Sequence, residues 1–196
     1  MENILSSILS QIDDQSLQTI GKKANATPNQ AKTALASAIP ILINALAKNS
    51  NSPEGVTSLQ KAVAKDHDGS IFDHLGASLE HPETLNGQGI LKHLLGGRQQ
   101  NVKQYISNDS GLSSSSTAKI LEMAAPIVMG YLGKKSGSGG GIVDLLTSYL
   151  NTEKRTAPQS QSIINQILDR NNDGNIMDDI TELGTSFLSQ MMKKKN

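Results

Sequence analysis

"ATPNQAKTALASAIPILINALAK", residues 26–48, decides the fold because it recurs: residues 112–134, "LSSSSTAKILEMAAPIVMGYLGK", align on it without gaps at an offset of 86. Leu35 meets Leu121, Ala38 meets Ala124, Pro40 meets Pro126, Ile41 meets Ile127, Leu46 meets Leu132 and Lys48 meets Lys134. Thr27 followed by Pro28 reads as an N-cap with proline at the first helical position. "NSNSPEG" then stops the helix after Lys48. The second copy opens on a serine tract of the same capping chemistry. A proline in mid-helix removes a hydrogen bond and clashes with the preceding turn at a cost of about 3 kcal/mol. Two prolines at equivalent positions predict a shared kink.

Helical spacing continues outward from this pair, through Ile4, Leu5, Ile8, Leu9 and Ile12 and then through "SLQTIGKKA". Shorter helices are expected at 55–65, 70–79, 88–96 and 98–107. "GSIFDHLG" (69–76), "GQGILKHLLG" (87–96) and "GGGIVDLLTS" (139–148) each place glycines before a short apolar helix. Such helices are marginal alone and must dock on the long ones. "GKKSGSGGG" (133–141) has the composition of a flexible linker, and "NTEKRTAPQSQ" (151–161) reads as a second loop. The organisation expected is a helical repeat domain at 1–134, with repeats near 1–50 and 88–134. A Gly/Ser-rich linker with a short helix follows at 135–158, then an EF-hand-like helix-loop-helix at 159–196.

Composition agrees with an all-α fold: 36% of residues are apolar, and the only aromatics are Phe72, Phe187, Tyr105, Tyr131 and Tyr149. Leu, Ile and Ala suit closely packed helices better than strands. With 18 basic and 18 acidic residues the formal charge is zero, so no global field draws the chain to nucleic acid or an anionic membrane. The run Lys193, Lys194, Lys195 reads as a solvated tail. Cysteine is absent, which excludes disulfides, thiol catalysis and thiolate metal sites. "MENILSSILSQIDD" lacks the apolar core of a secretory signal. The longest apolar run, "ALASAIPILINALA", is 14 residues interrupted by Ser37, Pro40 and Asn44, too short to span a bilayer. A soluble, cytoplasmic protein without a membrane span is the expectation.

The stretch closest to a chemical device is "DRNNDGNIMDDI", Asp169 to Ile180. A calcium loop needs oxygen ligands at positions 1, 3 and 5, glycine at 6, a backbone carbonyl at 7, an apolar residue at 8 and a bidentate Glu at 12. Asp169, Asn171, Asp173, Gly174, Asn175 and Ile176 meet these requirements in order, and Ile180 fails the last. Asp179, or failing it Asp178, can close the loop if the exit helix starts one residue early. Calcium is the cofactor expected, in a structural clamp rather than a sensor, since such loops commonly pair. The plainer alternative is an Asx-rich turn.

His67, His74 and His81 fall at intervals of seven beside Asp66, Asp68 and Asp73. Gly69, Gly76 and Pro82 break any common helix, so these read as surface or capping histidines, as does His93. "LQTIGKKANATPNQAKTAL" (17–35) has the outline of a helix-turn-helix. In it Asn29 and Gln30 could read adenine edges, and Lys22, Lys23 and Lys32 could touch phosphates. The helix that would read the bases runs on into apolar sequence, however, and its counterpart "SSSSTAKIL" has neither Asn nor Gln. DNA binding therefore stands as the alternative, with nucleic acid not the expected partner. The serines at 113–116 have no catalytic partners in order, and the glycines at 137–141 lack the lysine and hydroxyl of a phosphate loop. No enzyme is expected.

"DHDGSIFDHLG", "GQGILKHLLGG", "GLSSSSTAKILEMAAPIVMGYLGKK" and the terminal "DRNNDGNIMDDI", in that order, resemble the YidB-like bacterial family, whose domains are of unknown function. The likeness covers about residues 1–150 and most of the acidic tail. It implies two related units of homeodomain-like helical repeats and no reaction or catalytic residues. The function expected is a non-enzymatic interaction or assembly module with a structural calcium loop. Its partner is an unknown protein or a second copy, and apolar faces such as "AIPILINAL" and "AAPIVMGYL" could pack within one chain or between copies.

Overall fold

A computed structural model describes residues 4–137 and 141–169. Among these the fold is all-α, with no strand. The helices run α1 (Ile4–Leu9), α2 (Asp14–Ala24), α3 (Pro28–Asn49), α4 (Pro53–Asp66), α5 (Leu75–Glu80), α6 (Gly87–Leu95), α7 (Gln99–Ser110), α8 (Ser114–Gly137), α9 (Ile142–Thr156) and α10 (Pro158–Leu168). Tight 3₁₀ turns at Ser70–His74, Pro82–Leu85 and Gly96–Arg98 join the short members.

The long helices α3 and α8 pack on each other at the centre, and most of the other helices dress that pair. Every residue from Ile41 to Ala47 and from Met123 to Gly133 is buried. A helix apolar on all sides needs cover on all sides. That requirement explains why the short helices dock instead of standing alone.

Local chemistry sets where each long helix starts. Asn25 takes the left-handed conformation (φ 59°) and ends α2, and the Thr27 hydroxyl then accepts the Gln30 N–H at 3.2 Å. Gln30 returns the contact, its Oε1 accepting the Thr27 N–H at 3.1 Å. At the offset of 86, Gly111 (φ 67°) ends α7 and Ser113 Oγ accepts the Ser116 N–H at 3.1 Å. Both long helices continue through their interior proline.

Pro126 has no N–H to give the carbonyl of Glu122, one turn earlier. Gly87, the first residue of α6, lies against that carbonyl so closely that a Cβ there would collide with it. Gly133 meets the His67 carbonyl in the same way, and Gly69 (φ 102°) lies on Lys134. Glycine thus seats α6 and the 67–69 turn on α8.

Two expectations are corrected. The segment 151–161 is not a loop: it is helical except at Ala157, where α9 gives way to α10. The helix inside the expected 135–158 linker is not short either, because α9 spans 15 residues, and α8 continues to Gly137. Polar composition hid a helical stripe, Ile142, Leu146, Tyr149 and Glu153, that is buried against the body. Helix α3 is long and apolar enough, by length and composition alone, to cross a membrane, its best 18-residue window having a mean hydropathy of 1.2. Of that window 67% is buried inside the fold.

Candidate functional site

Two regions of the body concentrate polar chemistry beside apolar surface: the seat of α10, and a cleft between α4 and α6. At the seat, Gln161 of α10 donates through Nε2 to Asn44 Oδ1 at 2.6 Å and to Asn165 Oδ1 at 3.2 Å. Asn44 donates in turn to the Pro40 carbonyl at 2.9 Å. Asn44 and Gln161 are both buried, with Tyr149 and Glu153 of α9 also inside. Burial, with the Glu153 carboxylate adding to it, pushes the Tyr149 phenol well above its ordinary value, so it stays protonated. The Tyr149 hydroxyl and Gln161 Oε1 have no hydrogen-bond partner among the described residues.

The end of α10 meets two cations. The Leu168 carbonyl accepts from Arg98 Nη1 at 3.3 Å and from Lys48 Nζ at 3.4 Å. Arg98 also donates through Nε to the Leu95 carbonyl at 3.1 Å and, more weakly, through Nη2 to Leu94 at 3.5 Å. One guanidinium therefore joins the C-termini of α6 and α10, where the helix dipole favours positive charge. The next residue is Asp169, only 5% exposed.

Asp169 is the first position of the loop expected from the sequence to hold calcium. Asn171, Asp173, Asn175 and Asp179 lie outside the described residues. Among the described residues no group of three or more His, Asp or Glu is arranged to hold a metal ion. His67 and His74 border one depression beside Pro126, whereas exposed His81 pairs with Glu83 at 3.3 Å.

The cleft between α4 and α6 encloses about 320 Å³. Leu46, Leu59, Ala62, Ile90, Leu94 and Met129 form its apolar wall, with Glu54 and Asp66 among its polar lining. His67 and His93 also border it. Desolvation lowers the pKa of His67, against the opposing pull of Asp66 and Asp68.

At the α2–α3 corner, Gln30 and Lys23 make intramolecular contacts. Gln30 is engaged in the capping box and reaches the Gly111 carbonyl at 3.5 Å. Lys23 pairs with the Glu80 carboxylate at 3.0 Å and donates to its carbonyl at 2.6 Å. Hydrogen bonding to Lys23 holds the Glu80 carboxyl below its usual range.

Sequence reasoning missed Asn44, Arg98 and Gln161. Asn44 left a usable signal, being a lone amide in the apolar run "AIPILINAL" and hence a buried donor needing a partner. Arg98 and Gln161 left none, because their partners are backbone and side-chain groups far away in sequence.

The helical body from α1 to the last turns of α8 is also the part of the chain that known sequences share. The family DUF937, described as a bacterial protein of unknown function, matches residues 6–135. The chain belongs to that family. The DUF937 stretch contains the cleft and the α2–α3 corner, together with Asn44, Lys48 and Arg98. The matched residues end before α9 and α10, so Gln161 and Asp169 lie beyond them. Neither the curated proteins nor the solved structures contain a match to the chain.

Proposed function

We propose that this protein is a non-enzymatic helical interaction and assembly module in which a structural calcium ion orients the C-terminal segment. Asp169, Asn171, Asp173, Asn175 and Asp179 hold the ion, and α3 serves as a core helix rather than a membrane span. The observation that carries this reading is the seat of α10. A buried Gln161–Asn44 hydrogen bond and two cations on the Leu168 carbonyl fix the helix that leads into the loop.

A loop whose incoming helix is already docked suits a clamp better than a sensor, which needs freedom on both sides. Lys48 and Arg98 add positive charge beside its first position, so affinity is lower than for a loop standing clear of the body. The apolar stretches "AIPILINAL" and "AAPIVMGYL" are buried within one chain, so assembly with a partner or a second copy uses another surface. The DNA-reading alternative loses support because Gln30 and Lys23 are engaged internally.

Thermal unfolding in calcium and in chelator tests the clamp, because an ion bound only by the folded state raises the melting temperature. Calcium is expected to raise it, and Asp173→Ala, which leaves the α10 seat untouched, to abolish the gain. Identical melts with calcium and with chelator would sink the calcium reading. Sedimentation over a range of concentrations tests assembly.

A further inference from the structure

We infer that the cleft between α4 and α6 is the docking site for this chain's own C-terminal stretch, residues 180–192. The argument begins with where the chain leaves the described body. Leu168 is held by Lys48 and Arg98, and Arg98 also touches the Leu94 carbonyl. Leu94 lines the cleft. Asn49, another lining residue, donates through Nδ2 to the carbonyls of His93 and Leu94 at 3.5 and 3.4 Å. Asp169 therefore stands at one end of the cleft, and the loop beyond it has ample length to carry the following residues along it.

The chemistry of the segment fits. In "ITELGTSFLSQMM", Ile180, Leu183, Phe187 and Met191 recur at intervals of three, four and four, the stripe of an amphipathic segment that needs an apolar groove. Leu46, Leu59, Ala62, Ile90, Leu94 and Met129 provide that groove, and its volume accommodates large side chains such as Phe187. Charge is complementary. Lys193, Lys194 and Lys195 follow the stripe, and Glu54 and Asp66 line the cleft. This docking gives the assembly reading an intramolecular partner and requires no calcium in the loop.

The chain has no tryptophan, so Phe187→Trp supplies a single reporter in the full-length protein. The measurement is made in chelator, which separates it from the calcium test. The expected result is a blue-shifted emission that moves to the red when Ser58, an exposed cleft residue, is changed to Lys. Glu54→Lys should give a smaller red shift by repelling the terminal lysines. The melting temperature of the variants checks that the body is intact. Emission of a water-exposed indole in the intact body overturns the proposal, as does a buried signal that neither cleft variant moves. A blue shift lost on dilution also overturns it, because the occupant would then be the tail of a second copy.

Discussion

Gln161 and Asn44 are 117 positions apart in sequence, and their side-chain amides meet at 2.6 Å inside the protein. Asn44 Nδ2 is in turn held by the Pro40 carbonyl, so α10 is tied to the proline turn of α3. Removing one partner leaves a buried amide unsatisfied, at about 1–3 kcal/mol, whereas replacing both with apolar groups restores compatibility. Asn44→Leu and Gln161→Leu should each lower stability by that amount. The double variant should be less destabilised than the sum, as a denaturant-based double-mutant cycle would reveal. Strict additivity would mean that the contact contributes nothing.

Gly133 and Gly87 predict a contrast among glycines. A Cβ on either one collides with a backbone carbonyl, of His67 and Glu122 respectively, and backbone cannot swing aside. Gly133→Ala and Gly87→Ala should each cost about 1–3 kcal/mol, the range for overpacking. Gly76, inside α5, has nothing within 4 Å of the same atom. Gly76→Ala should be neutral or add up to about 1 kcal/mol through helix propensity. Chemical unfolding of the three variants would check the order.

Acid should weaken the fold through His67. Its pKa is lowered from 6.5 in the folded protein, chiefly by desolvation, so the unfolded chain takes up the proton first as pH falls. The His67 contribution is complete above 6.5 and declines as pH drops toward the folded value. Melting temperature should therefore rise between pH 5 and pH 7, and His67→Gln should flatten that rise. An unchanged slope in the variant would assign the acid sensitivity elsewhere.

Arg98 predicts a difference between two cations. Its guanidinium reaches carbonyls on α6 and α10 together, a span that a lysine ammonium lacks. Arg98→Lys should keep the favourable charge but loosen α10, increasing proteolysis between Ala157 and Asp169 while α3 and α8 remain protected. Equal protection of both proteins would show that Gln161, Lys48 and the apolar side of α10 hold it without the guanidinium.

The long helices were legible because local chemistry announces them. Thr27, Pro28 and Gln30 mark one start and Ser113 the other, and each is followed by a long apolar run. The α9–α10 region was misjudged because Thr152, Lys154, Arg155 and Gln159 resemble a loop when composition is read without phase. Ile142, Leu146, Tyr149 and Glu153, spaced four, three and four apart, show that the segment keeps a helical stripe. The pairing of Pro126 with Gly87 was beyond reach, since a proline states which carbonyl loses its donor but not what will lie against it. For the proposed calcium loop, the structure adds only the surroundings of Asp169, a buried position beside two cations, which no spacing rule could supply.

The apolar girth of α3 has a consequence for how the protein is made. Its principal cover is α8, which ends 88 residues after Asn49 (137 − 49), so at 5–20 residues per second the ribosome needs about 4–18 s to deliver it. During that interval a 22-residue helix with the hydropathy of a membrane span is without its main partner. Partition between lipid, chaperone and self-burial is then a race, in which α1 and α2 shelter α3 first and α6 and α7 join them before α8 arrives.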